Sequence, residues 1–116
     1  MKFLTLKKIL TELKFFGLKT KKKWNLNSFK KLIKNKIVYL TFDVDGLDSS
    51  IMPATGTPEP GGLLWDETLE IIKIAMKNSK IVGADINELA PIKGFNSYNF
   101  LVAKLAYKIL SYKFFY

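Results

Sequence analysis

Three acids stand where extended runs of the chain stop, and they are the residues of this sequence best placed to do chemistry. Asp43 and Asp45 end the apolar run Ile37-Val38-Tyr39-Leu40-Thr41-Phe42-Asp43-Val44-Asp45, and Glu88 ends a second run that begins near Lys80. Two residues apart in an extended segment, Asp43 and Asp45 are expected to point to the same face, with carboxylates close enough to grip one ion or an adjacent pair. Hard oxygen ligands of this kind favour Mg²⁺, Mn²⁺ or Ca²⁺. The other reading is that Asp45 and Asp48 only cap a turn, and residue types alone leave both open. The chain has no histidine and no cysteine. That excludes imidazole ligands and bases, thiolate metal sites, disulfides and thiol nucleophiles, so any chemistry rests on carboxylates, hydroxyls and lysines.

The elements that must position these acids can be read from periodicity. Residues 37–45 are nearly continuous in β-branched and aromatic side chains, as in a strand buried on both faces. From Gly46 to Gly62 the chain is dense in Gly, Pro, Ser and Thr, and an ordered loop of that length inside a compact domain is usually functional. Trp65, Leu69, Ile72, Ala75 and Met76 recur at helical spacing, with Asp66, Glu67 and Glu70 towards the positive end of the helix dipole. Residues 80–87 form a second apolar strand, and after a loop Ser97 or Asn99 caps a final helix through Phe100, Leu101, Leu105, Ile109 and Leu110. This βαβα order predicts an α/β fold with parallel strands joined by a right-handed crossover. Ligands of such sheets bind outside the carboxyl ends of the strands, which is where the acids lie.

Upstream, Phe3, Leu6, Leu10, Leu13 and Phe16 are spaced for an amphipathic helix that Gly17 could close. Lys21, Lys22 and Lys23 read as an exposed connection to a short helix capped by Asn27 or Ser28 and carrying Phe29, Leu32 and Ile33. Charge divides the chain at the same place: residues 1–36 carry twelve lysines and one acid, and residues 37–116 carry seven lysines and nine acids. The reading is therefore a Lys-rich helical segment over 1–36 and a folded part over 37–116. A net charge of +9 raises the question of nucleic acid, but every one of the nineteen basic residues is lysine. Without the planar fork of arginine, recognition of nucleic acid is not expected. No apolar run is long enough for a signal peptide or a membrane span, and a cytoplasmic protein is expected.

The string Thr41-Phe42-Asp43-Val44-Asp45-Gly46-Leu47-Asp48, followed by Pro53-Ala54-Thr55-Gly56-Thr57-Pro58 and Gly61-Gly62-Leu63, closely resembles the third signature of the ureohydrolases, the family of arginase, agmatinase and formiminoglutamase. That signature reads Ser, apolar, Asp, apolar, Asp, then proline and glycines at fixed spacings. Downstream, Gly83-Ala84-Asp85-Ile86-Asn87-Glu88-Leu89-Ala90-Pro91 resembles the ending of the family's next strand. The likeness runs from about Ile37 to Tyr112, and residues 20–36 follow the family more weakly. Thr41 in place of serine and Ser49 in place of proline or alanine are mild departures, and Asn96 stands where several relatives have histidine.

The resemblance implies the C-terminal part of a three-layer, parallel-sheet ureohydrolase domain, most like agmatinase from Thr57-Pro58-Glu59-Pro60-Gly61-Gly62. It implies that Asp43 and Asp45 are ligands of a two-manganese centre that activates water to attack a guanidinium carbon and release urea. Glu88 would pair with the guanidinium of the substrate, agmatine or arginine, Thr55 would lie beside the substrate loop, and Asp48 would be a turn residue. Arginine metabolism, polyamine biosynthesis and a homo-oligomeric assembly are implied for the intact protein. The family also needs upstream Gly-Gly-Asp-His and Asp-Ala-His-x-Asp segments, absent from this sequence. The expectation is thus a fragment, inactive alone, of an agmatinase-like, arginase-like or formiminoglutamase-like parent. A non-catalytic module whose Lys-rich residues bind an acidic surface is the competing expectation.

Overall fold

The computed structural model describes the backbone of residues 2–5 and all of residues 26–116. Strand β1 (Lys2–Thr5) is followed by helix α1 (Leu26–Ile33), strand β2 (Ile37–Asp43), a 3₁₀ turn (Val44–Gly46), helix α2 (Trp65–Asn78), strand β3 (Lys80–Asn87) and helix α3 (Asn96–Phe115). The three strands form one parallel sheet in the order β1-β2-β3. The α/β class and the parallel β2–α2–β3 crossover stand as the apolar periodicities predict.

The N-terminal expectation needs correction. Residues 3–5, read as the start of an amphipathic helix, lie in β1 and pair in parallel with Tyr39, Leu40 and Thr41. A spacing that suits a helix does not outweigh backbone pairing offered by a neighbouring strand. The rest of that expected helix lies outside the described residues.

Among the described residues one hydrophobic core gathers on one face of the sheet. Val38, Leu40 and Phe42 of β2 meet Phe29 and Ile33 of α1, Leu69, Ile72 and Met76 of α2, and Leu105 and Ile109 of α3. Tyr39, Thr41 and Asp43, on the opposite face of β2, are only half-buried. So β2 is apolar-buried on one face and not on both as its composition suggests; the tyrosine and threonine counted as strand formers mark the polar side.

The pairing of β3 with β2 contains a register shift: Val38 pairs with Ile81 but Tyr39 pairs with Gly83, leaving Val82 as an extra residue. Because side chains alternate along a strand, one inserted residue exchanges the faces of all that follow. Ile81 therefore enters the core, as do the partly buried contacts of Ile86. Gly83, Asp85 and Asn87 come to the side of Tyr39, Thr41 and Asp43. Without the bulge, Asp85 would be carried to the Phe42 face, against the core. Gly83 is needed where it stands, since a Cβ there would lie 2.6 Å from the Tyr39 ring.

Local chemistry sets the helix ends. The Leu64 amide donates to Glu67 Oε2 at 2.8 Å to open α2, and Ser79 Oγ donates to the Ala75 carbonyl at 2.7 Å to close it. The start of α3 precedes the expected caps: Ser97 and Asn99 lie within its first turn, after Phe95, whose ring stacks on Tyr98 at 6.3 Å. No helix among the described residues is long and apolar enough to cross a membrane.

The segment between β2 and α2 is folded into the molecule. Leu47, Met52, Ala54 and Leu63 are core residues, and isolated parallel bridges join Leu47 to Leu63 and Asp48 to Glu59. Gly62 lies so close to the preceding arm that a Cβ would sit 2.5 Å from the Leu47 carbonyl carbon and oxygen. Those are backbone atoms and cannot swing away. Gly62→Ala is expected to destabilise the chain by about 2–3 kcal/mol, the range of core overpacking. Gly56→Ala, with nothing within 4 Å of the added methyl, should stay within roughly 0.5 kcal/mol of the parent. Urea midpoints of the two variants check the contrast.

Candidate active site

Asp43 is the last residue of β2, and its carboxylate turns back on the chain: Oδ1 accepts from the Asp45 amide at 3.1 Å. A side-chain acceptor two residues away competes with the strand ladder and starts a turn. The Leu47 amide then donates to the Val44 carbonyl at 3.1 Å. Asp45 is consequently not in an extended segment, and the expectation that it shares a strand face with Asp43 fails. The two half-buried residues instead stand at the start and in the middle of the 3₁₀ turn at the carboxyl end of β2. Thr57 fixes the second of them, its Oγ1 donating to Asp45 Oδ2 at 2.8 Å. Sequence reasoning missed this contact, although Thr57 stands in the string that carries the family resemblance.

Asp48 behaves as a turn residue. Its Oδ2 accepts from the Gly61 amide at 2.7 Å and its Oδ1 from the Ser50 amide at 2.9 Å. These bonds draw the two arms of the loop together below the acids.

Glu88 follows directly on β3, whose Asn87 pairs with Asp43. Neighbouring strands run about 4.8 Å apart, so β3 delivers Glu88 to the same sheet edge as the two aspartates. Its φ is +68°, a left-handed conformation that is rare for residues other than glycine and asparagine and costs about 1 kcal/mol or more. Two residues on, the Ala90 amide donates to the Ala54 carbonyl at 2.8 Å, tying the Thr55 loop to the Glu88 turn. Thr55 is buried, and its hydroxyl has no hydrogen-bond partner among the described residues. Left-handed backbone at a glutamate and an unsatisfied buried hydroxyl are both the kind of cost that folded chains keep at functional positions.

On the half-buried face beside this edge, Asp85 accepts from the Tyr39 hydroxyl, from Thr41 Oγ1 at 3.5 Å and from the Asn87 amide group. The hydrogen bond to Asp85, together with desolvation, holds the Tyr39 phenol above its ordinary value. The register shift in β3 creates this cluster, which no local sequence signal reveals.

The donor set near Asp43 and Asp45 is that of a hard cation, but it is incomplete. Among the described residues no three acids come together in a way that could hold a metal ion. The carboxylates present fit a share of a hard-cation site and do not form one by themselves.

The family model of the arginase family matches residues 14–111. The N(1)-aminopropylagmatine ureohydrolase of Synechocystis is 47% identical over 75 residues, covering 65% of this chain and 24% of that protein. Among solved structures, agmatine ureohydrolase of Thermoplasma volcanium superposes with a TM-score of 0.67 at 32% identity, covering 79% of this chain and 31% of that one. The Trypanosoma cruzi formiminoglutamase structure with Mn²⁺ gives a TM-score of 0.63 at 26% identity, covering 80% and 33%. The chain thus spans about a quarter to a third of the length of these relatives.

Two outcomes test the site's local physics. Glu88→Gly is expected to raise stability by about 0.5–1 kcal/mol, because glycine adopts φ +68° without the Cβ penalty; a loss of stability in urea titration would show that the glutamate side chain itself braces the turn. Tyr39 should titrate above 10.0, its ordinary value. Since the folded pKa is the higher one, the stability linked to it is complete below the unfolded pKa and is lost as pH rises through the folded value. Asp85→Asn should lower the titration towards the ordinary value, read in tyrosinate difference spectra against Tyr39→Phe.

Proposed function

The chain belongs to the arginase family, and we propose that it carries the guanidino-binding edge and part of the metal-binding edge of an agmatinase-like ureohydrolase acting in the cytoplasm. The observation that carries this reading is the placement of Asp43, Asp45 and Glu88 at the carboxyl ends of two adjacent strands, with the Thr55 loop tied to the Glu88 turn.

Asp43 and Asp45 would give carboxylate oxygens to Mn²⁺, in company with ligands that the described residues do not contain. A metal bound in such a site makes water a nucleophile at neutral pH. The work of this chain's own residues is to hold and orient. Thr57 restrains the Asp45 carboxylate, as a partner behind a ligand fixes its direction and basicity. Glu88 would face the guanidinium of an agmatine-like substrate with a charge-assisted pair of hydrogen bonds, its left-handed backbone turning the side chain out from the strand end. Thr55 would offer its unpaired hydroxyl to the same substrate. The names of the relatives favour agmatine or an N-substituted agmatine.

The purified chain is expected to release no urea from agmatine above a metal-only blank. Supplied with the upstream part of a ureohydrolase as a separate polypeptide, it should gain Mn²⁺-dependent urea release. In that reconstituted system Asp43→Ala and Asp45→Ala should abolish turnover and lose bound manganese. Glu88→Gln should keep the metal and lower kcat/KM roughly 30- to 150-fold, the worth of a ~2–3 kcal/mol charge-assisted contact. Equal metal loss in all three variants would show that Glu88 is not a substrate residue.

A further inference from the structure

Helix α3 is apolar on two opposite faces. Leu101, Leu105, Ile109 and Tyr112 pack on the core. Phe100, Ala103, Tyr107, Leu110 and Phe114 follow one another at alternating three- and four-residue steps on the other side. Of these, Phe100 is 69% exposed, Tyr107 63%, Leu110 58% and Phe114 85%. A stripe of this period is the seam of a two-helix coil, in which such side chains seat between those of a facing helix. It extends over about 20 Å of helix at 1.5 Å per residue.

The side chains bordering the stripe give the partner its sign. Lys104 stands on one border and Lys113 on the other, while Lys108 turns back over the Tyr112 ring, and α3 contains no acidic residue. A second copy laid on this face would bring further lysines and no carboxylate to these borders, so nothing in the pair would answer their charge. We propose that the outer face of α3 docks an acidic amphipathic helix, with apolar residues at the same alternating spacing and Glu or Asp along both borders. Because α3 is already held against the core through its opposite face, docking does not have to pay for folding it. The surface lies apart from the sheet edge that carries the acids, and its test does not depend on the function proposed above.

The probe is a synthetic peptide of about three heptads with leucine at the seam and glutamate at the borders, labelled for fluorescence anisotropy against the full chain. A second peptide, identical but with lysine at the borders, reads generic apolar adhesion. The acidic peptide is expected to bind at least tenfold more tightly than the basic one, and more weakly as salt rises. Tyr107→Glu and Leu110→Glu, both exposed positions that leave the core intact, should each lower its affinity at least tenfold with unchanged circular dichroism. Lys104→Glu should weaken the acidic peptide and strengthen the basic one. Equal binding of both peptides, absence of binding, or a sedimenting dimer of the chain that Leu110→Glu dissolves would each overturn the proposal, the last in favour of a second copy on this face.

Discussion

The parallel registration of β3 on β2 is the constraint from which the rest of this molecule follows. It is not a uniform ladder: the extra residue at Val82 lets Ile81 face the core and still sends Gly83, Asp85 and Asn87 to the other side. A strand read strictly by alternation would have to bury either Asp85 or leave Ile81 in water. Burying an unpaired carboxylate costs far more than a broken ladder bond, so the bulge is the cheaper solution. The same registration sets Asn87 beside Asp43 and so brings Glu88 to the aspartates' edge.

The second support is Asp48. By accepting from Gly61 and Ser50 it closes a loop that would otherwise be a long excursion, and Gly62 permits the two arms to touch. Closure has two consequences. It buries Leu47, Met52, Ala54 and Leu63, and it returns the chain so that Thr57 reaches Asp45 and Ala54 reaches Ala90. Asp48, read from the sequence as a turn residue, is thereby a brace for the loop that carries Thr57 to Asp45.

Much of the fold was legible in the sequence because its signals are local and strong. The apolar runs of β2 and β3 and the helical period of α2 mark the elements within a few residues, and the order strand, helix, strand dictates parallel pairing. The candidate site was legible as a set of residues and not as a geometry. The 3₁₀ turn arises from a bond between the Asp43 carboxylate and the Asp45 amide, and such a bond is a choice of conformation that composition does not display. The register shift at Val82 and the strand at residues 2–5 depend on what lies beside them in space. Phe3 and Leu4 satisfy a helical spacing with Leu6 and Leu10, yet they pair with β2, since a pattern only states which faces are apolar and not which neighbour will cover them.

Two costs in this structure meet at one edge. Glu88 holds a backbone angle that glycine would adopt more easily, and Thr55 buries a hydroxyl without a partner among the described residues. Each opposes folding, the first by strain and the second by lost hydration. The other two costs of these kinds among the described residues fall on asparagines, Asn35 at φ +58° in the turn before β2 and Asn99 with a buried Oδ1 in α3, and asparagine tolerates the left-handed region better than glutamate does. Glu88 and Thr55 meet at the carboxyl edge of a parallel sheet, where the strand ends and following loops of such folds meet ligands. The backbone bond from Ala90 to Ala54 ties these two positions to each other, so a ligand that met the exposed Glu88 would lie against the same loop that buries Thr55, and the side chains that weaken the fold are those a polar ligand could satisfy.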